Sequence, residues 1–285
     1  MTDISDGPDQ SGARSAASPG LQRSELNGKP ACAGDLLSLA LLNYGHFTSM
    51  QVRDGRVRGL DLHLQRLQSA TRELFSCELD VDKVRAWMRS IARDEAGARS
   101  LRVTVFSRQM RRERPAEPVS IDVLMTIGPA RVAGTHPIRL RSFRYERALA
   151  HVKHVGTFGL FHHRRLAQLD GFDDALFFDS SDAVSEASVW NIGFFDGTRI
   201  VWPNAPALIG VSMQLLNHGL QLRGIATARS SVARANVGAY RSAFLTNSSC
   251  PVRPVAAIDG VDFVVDDELT RLLAECCDAN PWQTI

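Results

Sequence analysis

Three lysines occur in the 285-residue chain, and one of them, Lys153, lies in the segment HVKHVGTFGLF. Its neighbours are mostly apolar or small, and Gly156 and Gly159 allow another segment to approach closely. A lysine in such surroundings is partly desolvated, which lowers its pKa and frees the neutral amine as a nucleophile. An amine can form a Schiff base with an aldehyde, whereas arginine cannot. Lys153 is therefore a candidate covalent catalyst; the alternative is a loop lysine with its ammonium in water.

A carboxylate, Glu186, lies in the segment SDAVSEASVWNIGFF. We expect it one residue past a turn, before a strand whose alternate residues include Asn191. A carboxylate at such a place could pair with a protonated pyridine nitrogen and keep that ring electron-withdrawing. The local sequence allows equally an acid that only flanks a turn.

Several further residues could bind an anion such as a phosphate. Arg66, in HLQRL, could hold a phosphate through two parallel hydrogen bonds, or could be a solvated charge on a helix face. The segment IGVSMQLL would place Val211 and Ser212 at a helix N-terminus, where free amides suit an anion. The segment TNSSCP offers hydroxyl groups at Thr246, Ser248 and Ser249.

The histidines and cysteines do not form a pattern typical of a metal site. His162 and His163 are adjacent, so a helix would point them about 100° apart. His151 and His154 could share a face, but no carboxylate or cysteine cluster accompanies them. The sequence also lacks a P-loop, a Rossmann fingerprint and a G-x-S-x-G elbow. We therefore expect no metal.

The elements of the first half form a small α+β lobe at residues 25–145. HFTSMQVRDGRVRGL predicts two strands about an Asp54-Gly55 turn. In LDLHLQRLQSATRELF, Leu60, Leu64 and Leu67 recur at helical spacing, and a second helix should end near Gly97. The β-branched runs SLRVTVFSR and VSIDVLMTI predict strands on either side of a charged loop, and HPIRLRSFRY predicts another extended run.

The second half, residues 146–285, predicts a larger lobe that carries Lys153. A helix, FGLFHHRRLAQLDG, leads into a buried strand, DDALFFD. Two more strands should flank the Asp196-Gly197 turn, and a helix should start near Ser212. Mixed strands with helices packed beside them indicate the α+β class.

Composition limits the classes of protein that remain. The net charge of +2 argues against a dedicated nucleic-acid binder, which would carry a strong basic excess. Residues 1–24 are rich in Ser, Gly, Asp and Pro, which predicts a flexible tail, and they lack the features of a secretory signal. The longest apolar run, LLSLALL, is too short to cross a membrane, and the five cysteines show no disulfide framework. We expect a cytoplasmic protein without membrane association.

Taken in order, these motifs resemble the class IV aminotransferases, the fold-type IV pyridoxal-phosphate enzymes. That family includes branched-chain and D-amino acid aminotransferases and aminodeoxychorismate lyase. YGHFTSMQVRDGRVRGLDLHLQRL is similar to the family's hairpin followed by H-x-x-R-L, and DDALFFDSSDAVSEASVWNIGFF is similar to its A-L-x-x-D stretch that carries a glutamate. The resemblance implies a two-lobed α+β fold, a small α/β lobe with a larger mixed-sheet pseudo-barrel lobe.

The resemblance also implies a role for each candidate residue. Lys153 would hold pyridoxal 5'-phosphate as a Schiff base, and Glu186 would face the pyridine nitrogen. The remaining positions that would bind the cofactor, chiefly at its phosphate, are Arg66, Asn191, Val211, Ser212 and Ser248. Active sites in this family lie near a dimer interface, so a homodimer is implied.

The reaction itself is left open between two members of the family. An aminotransferase acting on an amino acid or amine is one, and elimination of pyruvate from aminodeoxychorismate to give 4-aminobenzoate is the alternative. Phe158 stands five residues after the lysine, where branched-chain aminotransferases carry a tyrosine near the cofactor's ring hydroxyl. The pair Lys153–His154 resembles the lyase members. A cofactor-free binding protein on the same fold is a lesser alternative. The arginines of the charged loop, at 108, 111, 112 and 114, could steer a carboxylate or be solvated.

Overall fold

The structure, a computed structural model, describes residues 22–93, 95, 97–130, 134 and 136–285. Most of the tail predicted for residues 1–24 therefore lies outside the described residues. The first strand already begins at Arg23, so the last two residues assigned to that tail belong to a sheet.

Within the described ranges the chain forms sixteen strands, six α-helices and two short 3-10 helices. The strands are β1 Arg23–Leu26, β2 Lys29–Pro30, β3 His46–Arg53, β4 Arg56–Arg58, β5 Ala98–Phe106, β6 Asp122–Pro129, β7 Ile138–Arg144, β8 Asp174–Phe178, β9 Val184–Ala187, β10 Asn191–Phe195, β11 Ile200–Pro203, β12 Thr227–Ser230, β13 Ser242–Asn247, β14 Cys250–Ile258, β15 Val261–Asp262 and β16 Trp282–Thr284. The α-helices are α1 Leu37–Leu42, α2 Leu60–Phe75, α3 Val81–Ala92, α4 Phe158–Leu169, α5 Val211–Leu222 and α6 Asp267–Asp278. The 3-10 helices are Ala33–Leu36 and Arg234–Ala239.

The first sheet is antiparallel, and its order is β16-β4-β3-β5-β6-β1-β2. The predicted Asp54-Gly55 turn joins β3 to β4, and both residues have positive φ values, 48° and 69°. Such a backbone suits a two-residue hairpin because its twist matches that of the strands. The strand at the edge beyond β4 comes from the far end of the sequence, at Trp282–Thr284.

Helices α2 and α3 pack on one face of this sheet. Leu60, Leu64 and Leu67 are buried as the periodicity predicts, in a core with Leu101 and Val103 of β5. Full burial of a leucine contributes about 1.5–3 kcal/mol, which explains why one apolar stripe fixes the helix against the sheet. The second helix ends at Ala92, earlier than the predicted end near Gly97.

The second sheet is mixed, and its order is β12-β11-β10-β13-β14-β7-β8-β9, with β15 paired to β14. Strand β7 pairs in parallel with both β14 and β8, so the run HPIRLRSFRY belongs to this sheet and not to the first. Along the chain, the change from the first sheet to the second therefore comes near residue 138. Residues 282–284 belong to the first sheet again. The ranges 25–145 and 146–285 remain a prediction for the domains.

The candidate residues converge where the two halves meet. The loop that carries Lys153 pairs with the start of β3, since Phe47 donates its amide to the Lys153 carbonyl at 2.9 Å and Val155 donates to Gly45 at 2.9 Å. Helices α2 and α5 also meet there, because a Cβ on Gly59 would lie 2.9 Å from a methyl of Val211. Gly59 itself has φ of +65°, which favours glycine twice over.

Candidate active site

Lys153 lies in a loop between β7 and α4, and its side chain is half-buried. Its Nζ lies 5.0 Å from the centroid of the Phe47 ring. The backbone pairing with β3 holds the chain at the Lys153 carbonyl and at the Val155 amide. A loop lysine with its ammonium fully in water does not describe this environment.

The environment of Lys153 lowers the pKa of its amine to about 7. Desolvation is the main cause, and the charges of Arg66 and Arg147 add to it, while Glu186 acts in the opposite direction. Near neutral pH a substantial fraction of the amine is therefore unprotonated, which a nucleophile or general base requires.

As expected, Glu186 precedes the strand that carries Asn191, β10, but it is buried inside a short strand of its own, β9, and does not lie one residue past a turn. The turn that follows, at residues 188–190, is where the chain reverses into β10. The Oε1 atom of Glu186 accepts a hydrogen bond from Arg147 Nε at 3.0 Å, and its Oε2 atom accepts one from the Leu208 amide at 3.2 Å. Burial raises the pKa of Glu186, and Arg147 opposes that effect.

Arg66 extends from α2 into the same region and is oriented by two side chains. It donates to Thr48 Oγ1 and lies 3.3 Å from His63 Nδ1. Thr48 Oγ1 is 2.6 Å from the same His63 nitrogen. Burial holds the pKa of His63 well below its usual range, so this imidazole is neutral and can accept a hydrogen bond from the threonine hydroxyl.

Arg66 has no carboxylate partner among the residues that the structure describes. Its Nε is buried and lacks a hydrogen-bond partner there. Desolvation and the charge of Arg147 lower the pKa of Arg66 to about 10, which leaves it charged at neutral pH. A desolvated cation with an unused donor is a binding group for an external anion, and not a solvated charge on a helix face.

Beside α2, the helix α5 begins at Val211, one residue before the predicted start. Its N-cap is Gly210, which provides no side-chain acceptor, so the first amides of the helix are not capped by a side chain. Ser212 Oγ lies 2.7 Å from Thr246 Oγ1 at the end of β13. Arg66 lines a cleft together with Ile209, which precedes α5, and Gln214 of its first turn, so the structure brings this arginine, the helix N-terminus and the Ser212 and Thr246 hydroxyls into one region.

Asn191 uses its side chain to hold the loop that leads into α5. Its Nδ2 donates to the Leu208 carbonyl at 2.6 Å, and its Oδ1 accepts from the Gly210 amide at 3.1 Å. A Cβ on residue 210 would lie 2.2 Å from that Oδ1, so the close approach requires glycine. Glu186 and Asn191 therefore fix the same loop from β9 and β10, which are consecutive in the sequence.

Ser248 lies in the turn between β13 and β14 and is half-buried. The turn is held by Asn247, whose Oδ1 accepts from the amides of Ser249 and Cys250, both at 2.9 Å. The Ser249 hydroxyl also donates to Asn247, at 3.0 Å. Of the three predicted hydroxyls, Thr246 thus contacts Ser212 and Ser249 supports the turn.

The sequence analysis did not identify Arg147. The structure places it between Glu186 and the loop that carries Lys153. Its side chain is 5% exposed and forms an ion pair with Glu186, whose side chain is 9% exposed. It also donates to the carbonyls of Ala150 and Val152. In a chain that uses arginine almost everywhere, no spacing distinguishes this arginine from those on the surface.

Phe158 lies away from the buried part of the cleft. It is the first residue of α4 and is 79% exposed, with its ring stacked on His162 at 5.6 Å. The charged loop is partly neutralised by ion pairs: Arg108 pairs with Asp35 and Asp122, and Arg111 and Arg114 pair with Glu117.

The residues present fit pyridoxal phosphate. The Arg66 end provides donors for a phosphate, Lys153 provides an amine for an aldehyde, and Glu186 provides a carboxylate for a protonated ring nitrogen. Across the described part of the chain, no three His, Cys, Asp or Glu side chains come together as a metal-binding group. None of the described helices has the length and apolar character needed to cross a membrane.

Comparison with known proteins supports the same family. The model for amino-transferase class IV matches residues 45–258. No curated protein matches the chain.

Among solved structures, a branched-chain aminotransferase from Thermoproteus uzoniensis with norvaline is similar at a TM-score of 0.81 and 16% identity, covering 89% of this chain and 93% of that one. A hypothetical aminotransferase from Mycobacterium tuberculosis, in its PLP-bound form, is similar at a TM-score of 0.77 and 20% identity, and the match covers 90% of this chain and 98% of that one. A putative 4-amino-4-deoxychorismate lyase from Legionella pneumophila is similar at a TM-score of 0.75 and 21% identity, and the match covers 85% of this chain and 93% of that one. At these identities the likeness concerns the fold, and it confirms the predicted two-lobed α+β class.

Proposed function

The chain belongs to the class IV aminotransferase family, and on that premise we propose that it is a pyridoxal-phosphate-dependent aminotransferase acting on an amino acid or amine through Lys153. The observation that carries the proposal is the lysine amine with a pKa of about 7, in one cleft with the buried Glu186 and with Arg66, which has no described carboxylate partner. When bound, pyridoxal phosphate would supply an aldehyde carbon for the amine and a ring that withdraws electrons from the substrate.

Lys153 would act through its Nζ lone pair. The unprotonated amine can bond to an aldehyde carbon, and when free it can accept the proton from the substrate Cα. Arg66 and Arg147 favour this neutral form, because a second positive charge nearby raises the cost of protonation.

Glu186 would accept a hydrogen bond from a protonated ring nitrogen. Arg147 and the Leu208 amide each occupy one lone pair of its carboxylate oxygens. Since each oxygen has two lone pairs, acceptor capacity remains for a ligand.

The region around Arg66 and the start of α5 would hold the phosphate. Arg66 has an unused donor, the Val211 and Ser212 amides lie in the first turn of α5, and the Ser248 hydroxyl lies in the nearby turn. Asn191 would contribute by holding Gly210, which precedes that helix. A phosphate at a helix N-terminus gains from both the amides and the helix dipole.

Reduction of the purified protein with borohydride tests the proposal. We expect an absorption band that borohydride bleaches, and mass spectrometry should locate the pyridoxyl adduct on Lys153. Lys153→Ala should lose the adduct and all turnover, whereas Lys83→Ala, which changes an exposed lysine of α3, should keep both. A wild-type protein without the adduct would instead be a cofactor-free binding protein on the same fold.

The lyase reaction remains the second candidate. It is supported by the Lys153–His154 pair and by Phe158, which has no hydroxyl at the position where branched-chain aminotransferases carry a tyrosine. Release of 4-aminobenzoate from aminodeoxychorismate without a keto acid would establish it. Strict dependence of turnover on a keto-acid acceptor would exclude it in favour of transamination.

A homodimer is part of the proposal. Large apolar side chains are exposed on α1, in the Lys153 loop and on the first turn of α4: Leu37, Leu41, Leu149, Phe158 and Phe161. Exposed apolar groups of this kind are typical of an interface. Light scattering should give twice the chain mass of 31.3 kDa, and Leu41→Glu should shift it toward the monomer, while an unchanged monomeric mass in the wild type would contradict the dimer.

A further inference from the structure

The guanidinium of Arg147 contacts two segments that are distant in the sequence. Its Nε donates to Glu186 Oε1 at 3.0 Å, on β9. Its Nη1 donates to the Val152 carbonyl at 3.0 Å and its Nη2 donates to the Ala150 carbonyl. All three nitrogens of one side chain are therefore used, by a carboxylate and by two carbonyls just before Lys153.

The loop between Arg147 and Lys153 curls around this side chain. Leu149 has a φ of +47°, an unusual conformation for a leucine, and the Val152 amide donates to the Leu149 carbonyl at 2.8 Å. This turn points the carbonyls of residues 150 and 152 at the guanidinium. Without a buried donor those carbonyls would be left unpaired, which destabilises the loop.

Only arginine can make this set of contacts. Its planar fork has donors in three directions, whereas the ammonium of lysine is a compact point charge on a flexible stem. A lysine at 147 would retain the charge toward Glu186 but could not reach the carboxylate and both carbonyls in one plane.

We propose that Arg147 is a positioning residue of the active site, which joins the Glu186 carboxylate to the loop that presents Lys153 and so fixes the two groups relative to each other. This inference rests on the proposed function, because it assumes that Lys153 and Glu186 act on one bound molecule. Arg147 acts on that molecule through two partners, the Glu186 carboxylate and the loop that presents Lys153.

Electrostatics supports the same assignment. Arg147 lowers the pKa of Glu186 against the effect of burial, and it lowers the pKa of Lys153. Loss of its charge should therefore make Lys153 easier to protonate. The other charged or titratable groups that face Lys153 are Arg66 and His63 of α2, Arg102 of β5, Glu186 of β9 and the neighbouring His154.

The test uses the cofactor-free protein. The acylation rate of Lys153 is measured against pH by mass spectrometry, and the amide hydrogen exchange of residues 148–155 is measured alongside it. In Arg147→Gln we expect the midpoint of Lys153 acylation to rise by about one pH unit, about a fivefold lower rate at pH 7, together with faster exchange of the loop. Arg147→Lys should keep the midpoint within about half a unit of the wild type but still exchange faster.

The matched control is Arg164→Gln, which breaks the ion pair of Arg164 with the buried Asp174 at 3.6 Å, outside the site. It should lower the melting temperature without moving either readout. The proposal is overturned if Lys153 titrates and exchanges in the Arg147 variants as in the wild type, or if Arg164→Gln moves both readouts equally. Should Arg147→Gln not fold, loop exchange in Arg147→Lys decides alone. Failure of the proposed function would appear separately, as a wild-type protein that forms no borohydride-fixed adduct.

Discussion

Two arginines, Arg66 and Arg147, lie in the same cleft and both lower the pKa of Lys153, yet their surroundings are opposite. Arg147 is buried with Glu186 as its counter-ion and with backbone carbonyls for its remaining donors. Among the described residues, Arg66 hydrogen-bonds only to two neutral groups, Thr48 and His63, and its buried Nε has no partner.

This difference in pairing indicates that Arg147 stabilises the structure of the site, whereas Arg66 is a binding group for a ligand. A paired buried charge stabilises its local structure only while both partners are present. An unpaired, desolvated charge costs stability in the free protein and recovers that cost when an anion binds. The two arginines should therefore respond to the same substitution in opposite ways.

The largest effect is expected from Arg147→Met. It leaves a buried carboxylate and two carbonyls without their donor, which should lower the free energy of unfolding of the cofactor-free protein by about 3–5 kcal/mol. Urea denaturation measures this change. Arg66→Met is the matched control and should leave that free energy unchanged or slightly higher. Equal losses in the two variants would contradict the distinction between the arginines.

Arg66→Met should have its effect on cofactor binding. Loss of charge-assisted hydrogen bonds worth about 1.5–3 kcal/mol should weaken pyridoxal phosphate about 10- to 100-fold. Pyridoxal, which has no phosphate, is the control ligand, and its affinity should be nearly the same for the variant and the wild type. Titration followed by absorbance compares the two. An equal loss for both ligands would show that Arg66 does not bind the phosphate.

Both arginines act on Lys153, and this predicts how stability depends on pH. The folded, cofactor-free protein releases the Lys153 proton near pH 7, whereas the unfolded chain keeps it until about pH 10.5. Because the unfolded state binds more protons between these values, the free energy of unfolding should rise with pH in that window. The contribution of this group is about 2 kcal/mol between pH 7 and 9.

Lys153→Met lacks the titrating group and supplies the comparison. The difference in unfolding free energy between the wild type and this variant should change with pH across the same window. Parallel pH profiles for the two proteins would mean that the lysine titrates normally in the folded state.

The smallest effect is expected from Phe158→Tyr, which lies outside both arginine regions. Since the ring is 79% exposed and stacks on His162, an added hydroxyl should change stability by less than about 0.5 kcal/mol and leave cofactor affinity unaltered. Cofactor titration and thermal melting check this. A marked gain in affinity would place the residue close to the cofactor after all.

The sequence predicted those parts of the molecule that depend on local patterns. The hairpin at Asp54-Gly55, the buried stripe of α2 and the start of α5 follow from turn chemistry and helical periodicity, which neighbouring residues determine. The family resemblance then assigned roles to residues such as Arg66, whose local context alone favoured a surface position.

What escaped prediction depends on pairing between distant segments. Glu186 was correctly placed before the strand that carries Asn191, but the four-residue strand β9 that contains it was not predicted. Strand β7 was assigned to the first lobe by proximity in sequence, but its partners are β8 and β14. Arg147 was overlooked because its importance lies in a contact with Glu186, 39 residues away.

The pairing of β16 with β4 has a consequence for the protein during its synthesis. Arg58 pairs with Trp282, so this edge of the first sheet stays open until residue 282 has been synthesised. At about 5–20 residues per second, that interval is on the order of 10–45 s. A nascent chain with an uncovered strand edge is exposed to pairing with other chains. The early half of this protein is thus translated first but completed last, and its first sheet should need protection by chaperones for that time.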